Sequence, residues 1–178
     1  GAVLPFADAS FDVAMTIWLL EHVPRPERVI SEALRVLVPG GRLILTEVDN
    51  ATFRFWPEQP AIRVWWDRFC EQQQRAGADP RVGRSLPALV EAAGGRELRI
   101  EDLPVVSSVR ERQRRGELID YVRQLLLSGR PMLERGGVID ASALAALERD
   151  FERVRRDSSI QFEYHAVRLS CRAPLATA

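Results

Sequence analysis

Two runs decide the fold: Phe11-Asp12-Val13-Ala14-Met15-Thr16-Ile17-Trp18 and Arg42-Leu43-Ile44-Leu45-Thr46-Glu47-Val48. Each is short and apolar almost throughout, the pattern of a parallel strand covered on both faces rather than of a strand with one face in water. Between them, Pro24-Arg25-Pro26 opens a helix, because the N–H that Pro26 lacks is unpaired in a first turn anyway. Val29, Ile30, Ala33, Leu34 and Leu37 then share one helical face. Pro39-Gly40-Gly41 stops that helix. Strand, helix, glycine turn and strand make a βαβ unit, and such crossovers are right-handed and belong to α/β sheets.

Downstream, a long helix runs from Pro57 to near Gly77 with Ile62, Trp65, Trp66 and Phe69 at helical spacing. A second helix covers Ser85 to Ala93 and is closed by Gly94-Gly95. Residues Glu97 to Leu103 alternate polar and apolar, which predicts a strand nearer the sheet edge. Helices follow over Arg110 to Ser128 and Ser142 to Arg156, the second capped by Asp140 or Ser142. Ile160 to Arg172, with Phe162, Tyr164 and Ala166 alternating, predicts the last strand. With no repeat, low-complexity tract or linker, one domain is expected.

Composition excludes several classes. The 178 residues are 46% hydrophobic and 28% charged, ordinary for a globular chain with a core. The 25 basic residues, all arginine, balance 25 acidic ones, so no overall field draws the chain to nucleic acid or to an anionic membrane. Cys70 and Cys171 stand alone, without a second ligand at metal-like spacing, so neither a disulfide framework nor a zinc site is expected. The longest apolar stretches are short and broken by charge, and the first residues lack a basic region followed by an apolar one. A membrane span and a signal peptide are therefore not expected, and the inferred location is cytoplasmic.

Three segments in order, Leu4-Pro5-Phe6-Ala7-Asp8-Ala9-Ser10-Phe11-Asp12, Glu21-His22-Val23 and Arg35-Val36-Leu37-Val38-Pro39-Gly40-Gly41-Arg42-Leu43, resemble the class I S-adenosylmethionine-dependent methyltransferases of the ubiquinone/menaquinone type. Ala78 to Leu86, and the apolar helix ending in Ala93-Gly94, resemble the part that shapes the substrate pocket in that family. The resemblance implies a doubly wound, Rossmann-like α/β sheet with helical lid insertions. On that sheet Phe11 to Trp18 is the fourth strand, Arg42 to Val48 the fifth, and the last two strands the sixth and seventh. Residues 1–178 then make a partial domain that lacks strands one to three, their glycine-rich loop and the ribose-binding acid. The parent is expected to be about 100 residues longer, and the isolated chain to expose an apolar strand edge.

The resemblance also implies the chemistry. The expected cofactor is S-adenosylmethionine and the expected partner a small organic methyl acceptor, the parent transferring a methyl group between them. A catalytically silent methyltransferase-like subunit is the rival reading, and the absent basic face disfavours a tRNA-modifying enzyme. Gly1, Ala2 and Val3 fall where the family contacts adenine through its backbone. Thr16, Ile17 and Trp18 end the fourth strand at the crevice, and Ile17 stands where a serine often touches the methionine end of the cofactor. Isoleucine offers main-chain atoms or an apolar wall instead.

His22 follows the strand end that faces the crevice, and an imidazole is the side chain suited to proton transfer near neutral pH, so it is the candidate general base; a loop histidine bonded to backbone is the other reading. Glu21 shares its position. Glu47 and Asp49 are expected to end the fifth strand beside the crevice, orienting an acceptor or capping the next turn. Phe53, Trp56, Trp65 and Phe69 are read as core, as the inner face of a lid over the acceptor, or as both. Asp12 and His165 are read as structural, and Arg110 to Arg115 as a solvated helix start rather than a phosphate contact.

Overall fold

The computed structural model describes residues 3–107, 110 and 112–175. The elements are β1 (Phe11–Ile17), a 3-10 turn (Leu20–His22), α1 (Pro26–Arg35), β2 (Leu37–Trp56), α2 (Pro60–Arg75), α3 (Val82–Ala92), β3 (Arg96–Val106), α4 (Arg112–Ser128), α5 (Arg130–Arg135), α6 (Ala141–Arg156) and β4 (Gln161–Arg172). The sheet order is β1-β2-β4-β3. β1 and β2 are parallel neighbours joined through α1, as the two apolar runs predict. Gly41 O accepts from Ala173 N at 2.8 Å while Arg54 pairs with Glu163, and Phe162 O accepts from Ser107 N at 2.9 Å while Asp102 faces His165, so along each pair the numbering runs in opposite senses and β4 is antiparallel to both β2 and β3. β3 lies at the edge, as its alternating sequence predicts.

β2 departs from the sequence reading at both ends. Pro39-Gly40-Gly41 does not separate helix from strand; it lies inside the strand as a bulge. On β1 Phe11 and Val13 are two apart, yet their partners on β2 are Leu37 and Arg42, so the extra residues loop outward. Glycine is required there. Gly40 has φ +75°, and a Cβ on Gly41 would stand 2.8 Å from the carbonyl oxygen of Val38.

At the far end β2 continues past Val48 to Trp56. Residues 45–50 are all buried, whereas from Ala51 to Trp56 the strand alternates between exposed or half-buried and buried positions. β1 pairs only as far as Thr46. Beyond it the strand keeps β4 as its one neighbour, and the alternation of a half-buried antiparallel strand returns.

The chain forms two compact units. The first comprises the described residues of Gly1–Ala51, Gly77–Leu103 and His165–Ala178; the second comprises Thr52–Ala76 and the described residues of Pro104–Tyr164. In the first, α1 (Ile30, Leu34) and α3 (Val82, Leu86, Val90) pack on Leu43 and Leu45 of β2 and Leu169 of β4. Leu37, assigned above to the helical face, begins β2 and is buried in the same cluster. In the second, Phe53 and Phe55 meet Trp66, Phe151 and Phe162, with Phe53 stacked on Trp66 at 4.1 Å between ring centres. Asp140 caps α6 by accepting from Ala143 N at 2.8 Å.

β1 is the edge strand of this sheet, and the face that carries its alternate residues 13, 15 and 17 is uncovered. Val13, Met15 and Ile17 are 55%, 62% and 56% exposed, the uncovered apolar edge expected above. Among the described residues no helix is long and apolar enough to cross a membrane.

Candidate functional site

The site is built where β1 ends. Trp18 follows the last strand residue with φ 52°, in the left-handed region that a bulky residue rarely enters. Its N–H still donates to Thr46 O at 2.9 Å, so the chain leaves β2 only after this bend. The next two N–H groups, of Leu19 and Leu20, donate to Oε1 of Glu47 at 3.1 and 2.9 Å. A side chain of β2 thereby caps the 3-10 turn that follows β1.

Glu47 is completely buried, and its Oε2 has no hydrogen-bond partner. Burial pushes its carboxyl above the ordinary glutamate value, the N–H groups of Leu20 and Leu19 pull it down, and the charge of Glu21 pushes it up again. Thr16 Oγ1, at the tip of β1, is likewise buried without a partner. Buried polar atoms are almost always paired, so two orphans at one strand tip mark a place that a ligand would complete.

Around this tip the acids are ordered by pairing. Glu21 is 8% exposed; its Oε2 accepts from Asn50 Nδ2 at 3.5 Å, and its Oε1 lies 3.5 Å from His22 Nε2. Asp49 Oδ2 pairs with Arg84 Nε, and Asp49 Oδ1 accepts from Ala51 N at 3.2 Å. The N–H of Asn50 donates to Pro80 O at 2.9 Å. α3 approaches β2 closely here: a Cβ on Gly83 would stand 2.8 Å from the carbonyl oxygen of Val48.

These positions revise several expectations. Glu47 and Asp49, expected to end their strand, do not: β2 continues to Trp56 and both are buried inside it. His22 has a half-exposed side chain, with Nε2 3.5 Å from Glu21 Oε1. Gly1 and Ala2 lie outside the described residues, and Val3 is 85% exposed. Phe53 and Trp65 are buried at 1% and 2% exposure in the second unit, whose own aromatic core accounts for them. Trp65 Nε1 also donates to Leu126 O at 3.0 Å. Of the four aromatics, Trp56 at 74% exposure keeps most of its surface free, and Phe69, half-buried, stacks on Trp66.

Sequence reasoning missed Asn50 and Arg84. Arg84 lies in the Ala78 to Leu86 segment already singled out, but nothing local pairs it with Asp49. His165 is structural, as expected, its Nδ1 lying 2.9 Å from Asp102 Oδ1. Arg115 is not part of a solvated helix start: it is 6% exposed, and its Nη2 donates to the carbonyl oxygens of Val154, Asp157 and Ile160 at 2.8, 3.1 and 3.0 Å. The reason is distant in sequence, since those carbonyls close the C-terminal end of α6 and need a donor.

Comparisons with known proteins agree with this architecture. Residues 2–45 match a methyltransferase domain family. A ubiquinone/menaquinone biosynthesis C-methyltransferase of Roseobacter denitrificans is 50% identical over 83 residues, covering 47% of this chain and 29% of that protein. An uncharacterised 37.1 kDa protein in a Streptomyces fradiae transposon is 31% identical over 121 residues, 67% of this chain and 34% of that protein. The chain thus spans about a third or less of the length of these curated relatives. A crystal structure of an S-adenosylmethionine-dependent methyltransferase from Thermotoga maritima superposes with a TM-score of 0.50 at 18% identity, over 96% of this chain and 59% of that one.

Proposed function

Because the chain belongs to the class I S-adenosylmethionine-dependent methyltransferases, we propose that it supplies strands four to seven of a seven-stranded sheet, and that the whole protein methylates a small organic acceptor. In this reading β1, β2, β3 and β4 are the fourth, fifth, sixth and seventh strands. The exposed apolar edge of β1 supports it, since Val13, Met15 and Ile17 are residues that a further strand and its helices would cover.

One observation carries the functional reading: the unpaired Oε2 of a fully buried glutamate inside β2, beside the tip of the parallel strand β1, whose chain turns left-handed at Trp18. In open α/β sheets ligands lie beyond the carboxyl ends of the strands. A carboxylate oxygen without a partner suits a cationic ligand, and exposed Ile17 and Trp18 offer an apolar wall, so the residues present fit S-adenosylmethionine. When bound, that cofactor supplies a methyl group already activated on a sulfonium.

The chain's own residues then have three tasks. Thr16, Ile17 and Trp18 orient the ligand through main chain and apolar surface. Glu47 holds the turn over Leu19 and Leu20 and presents its free oxygen. His22, beside Glu21, accepts a proton at Nε2 when the acceptor must lose one. Methyl transfer is an in-line displacement, so alignment and exclusion of water are the larger share of the catalysis. Asp49, already paired with Arg84, fixes α3 on β2.

Calorimetric titration with S-adenosylmethionine tests the reading. The 178-residue chain is expected to bind weakly or not at all, and a chain extended upstream by about 100 residues to bind it. In that longer chain Glu47→Gln weakens binding about tenfold. Tight binding by the short chain refutes the half-sheet assignment, and no binding by the extended one leaves the silent-subunit reading.

A further inference from the structure

The second unit contains a hollow of about 330 Å³ whose lining side chains carry positive charge and no negative charge. We propose that it binds a phosphate group, carried by a small molecule or free in solution. The hollow is lined by Arg112, Arg115, Gly116, Arg155, Arg156 and Ser158, with Ile119 at its side. It is independent of the methyl-transfer reading and uses none of that reading's residues.

Arg115 carries the argument. The residue is 6% exposed, and no carboxylate pairs with it among the described residues. Nη2 serves three carbonyl oxygens, but the buried Nε–H has no partner. Asp157, which feels the charge of Arg115, has its own Oδ1 occupied by the N–H and hydroxyl of Ser159 at 2.9 and 2.6 Å. A buried cation whose hydrogen bonds all go to carbonyl oxygens keeps capacity for an added anion.

Two features of α4 point the same way. Its first turn holds Arg112, Arg114 and Arg115 and no acid, whereas the positive end of a helix dipole favours anions. Gly116 follows directly, in a helix where alanine would be more favourable. Packing does not demand the glycine, since a Cβ there would meet nothing within 4 Å; it keeps the hollow open.

Guanidinium groups match the oxygen geometry of phosphate, and the volume lies at the lower end of small-ligand sites. Arg155 and Arg156 pair with Asp120 and Glu152 at 3.0 and 3.3 Å, in exposed pairs weak enough to rearrange. The balance of 25 basic and 25 acidic residues favours a compact anion over a nucleic-acid backbone, which needs an extended basic track.

The test follows arginine Nε–H resonances of the 178-residue chain during titration with inorganic phosphate, phenyl phosphate and a single-stranded RNA decamer. Saturable shifts with a phosphate are expected. Tighter binding of phenyl phosphate assigns an ester as the ligand, and equal binding assigns the free anion. Arg112→Gln and Arg156→Gln each weaken the affinity about threefold to tenfold, and Gly116→Leu, which fills the hollow, abolishes binding while circular dichroism stays native. Should Gly116→Leu unfold, the two arginine variants decide. Absence of a saturable shift, affinity unchanged in the variants, or saturation by RNA alone overturns the proposal.

Discussion

The two units each bury a charged side chain, and each answers it with backbone. In the first, Glu47 accepts from Leu19 and Leu20 where a 3-10 turn begins; in the second, Arg115 donates to three carbonyls where α6 ends. Both leave one polar atom unpaired, Oε2 of Glu47 and Nε of Arg115. The surroundings differ. Glu47 sits among other acids inside β2, beside the tip of β1, whereas the second unit is held by an aromatic core around Phe53 that owes nothing to charge. The second unit therefore draws its stability from apolar burial, and the first keeps polar groups at its strand tip at some cost to stability.

The largest test of that contrast is Phe53→Ala. Losing a ring in contact with Trp66, Phe55, Phe162 and Tyr164 is expected to cost about 3–5 kcal/mol, read as a lower urea midpoint. A loss below about 1 kcal/mol would mean that the aromatic cluster is not the core.

Arg115→Leu comes next, at about 2–3 kcal/mol, because the carbonyls at the end of α6 lose their shared donor. An unchanged midpoint would show that water serves them equally well and would end the parallel with Glu47.

Glu47→Gln probes the first unit through pH. Burial raises the folded-state pKa of Glu47 above its unfolded value, so its contribution to stability is fully present below the unfolded pKa and is lost as pH rises through the folded one. The wild type should gain stability relative to the glutamine variant as pH falls from neutrality towards the unfolded value. Urea midpoints at several pH values measure this, and parallel curves would show that Glu47 is not shifted.

The smallest effect is expected from Arg54→Ala. The ion pair of Arg54 with Glu163 is exposed on the arginine side, and its loss should change stability by less than about 0.5 kcal/mol. A larger loss would mean that charge contributes to the second unit after all.

The parallel pairing of β1 and β2 was legible because it rests on local pattern: two apolar runs, a proline at the start of α1 and an amphipathic helix between them. The end of β2 was not. Residues 51–56 alternate only because β1 stops pairing at Thr46, and which neighbour a strand has is not written in its own residues. Pro39-Gly40-Gly41 reads locally as a turn, and becomes a bulge because β1 holds the residues on either side of it in register. α5, at six residues, was too short for periodicity to reveal.

The candidate site divides in the same way. Periodicity and resemblance were enough to place Thr16, Ile17 and Trp18 at the end of β1, because that apolar run stops there, whereas Glu47, expected to end its strand, lies inside β2. Only the fold decided that Glu47 is buried with one oxygen bonded and one free, that Asp49 belongs to Arg84, and that Arg115 serves the end of α6 instead of solvent. Those partners lie tens of residues away along the chain, and long-range pairing depends on which surfaces packing brings together, not on the spacing within any single segment.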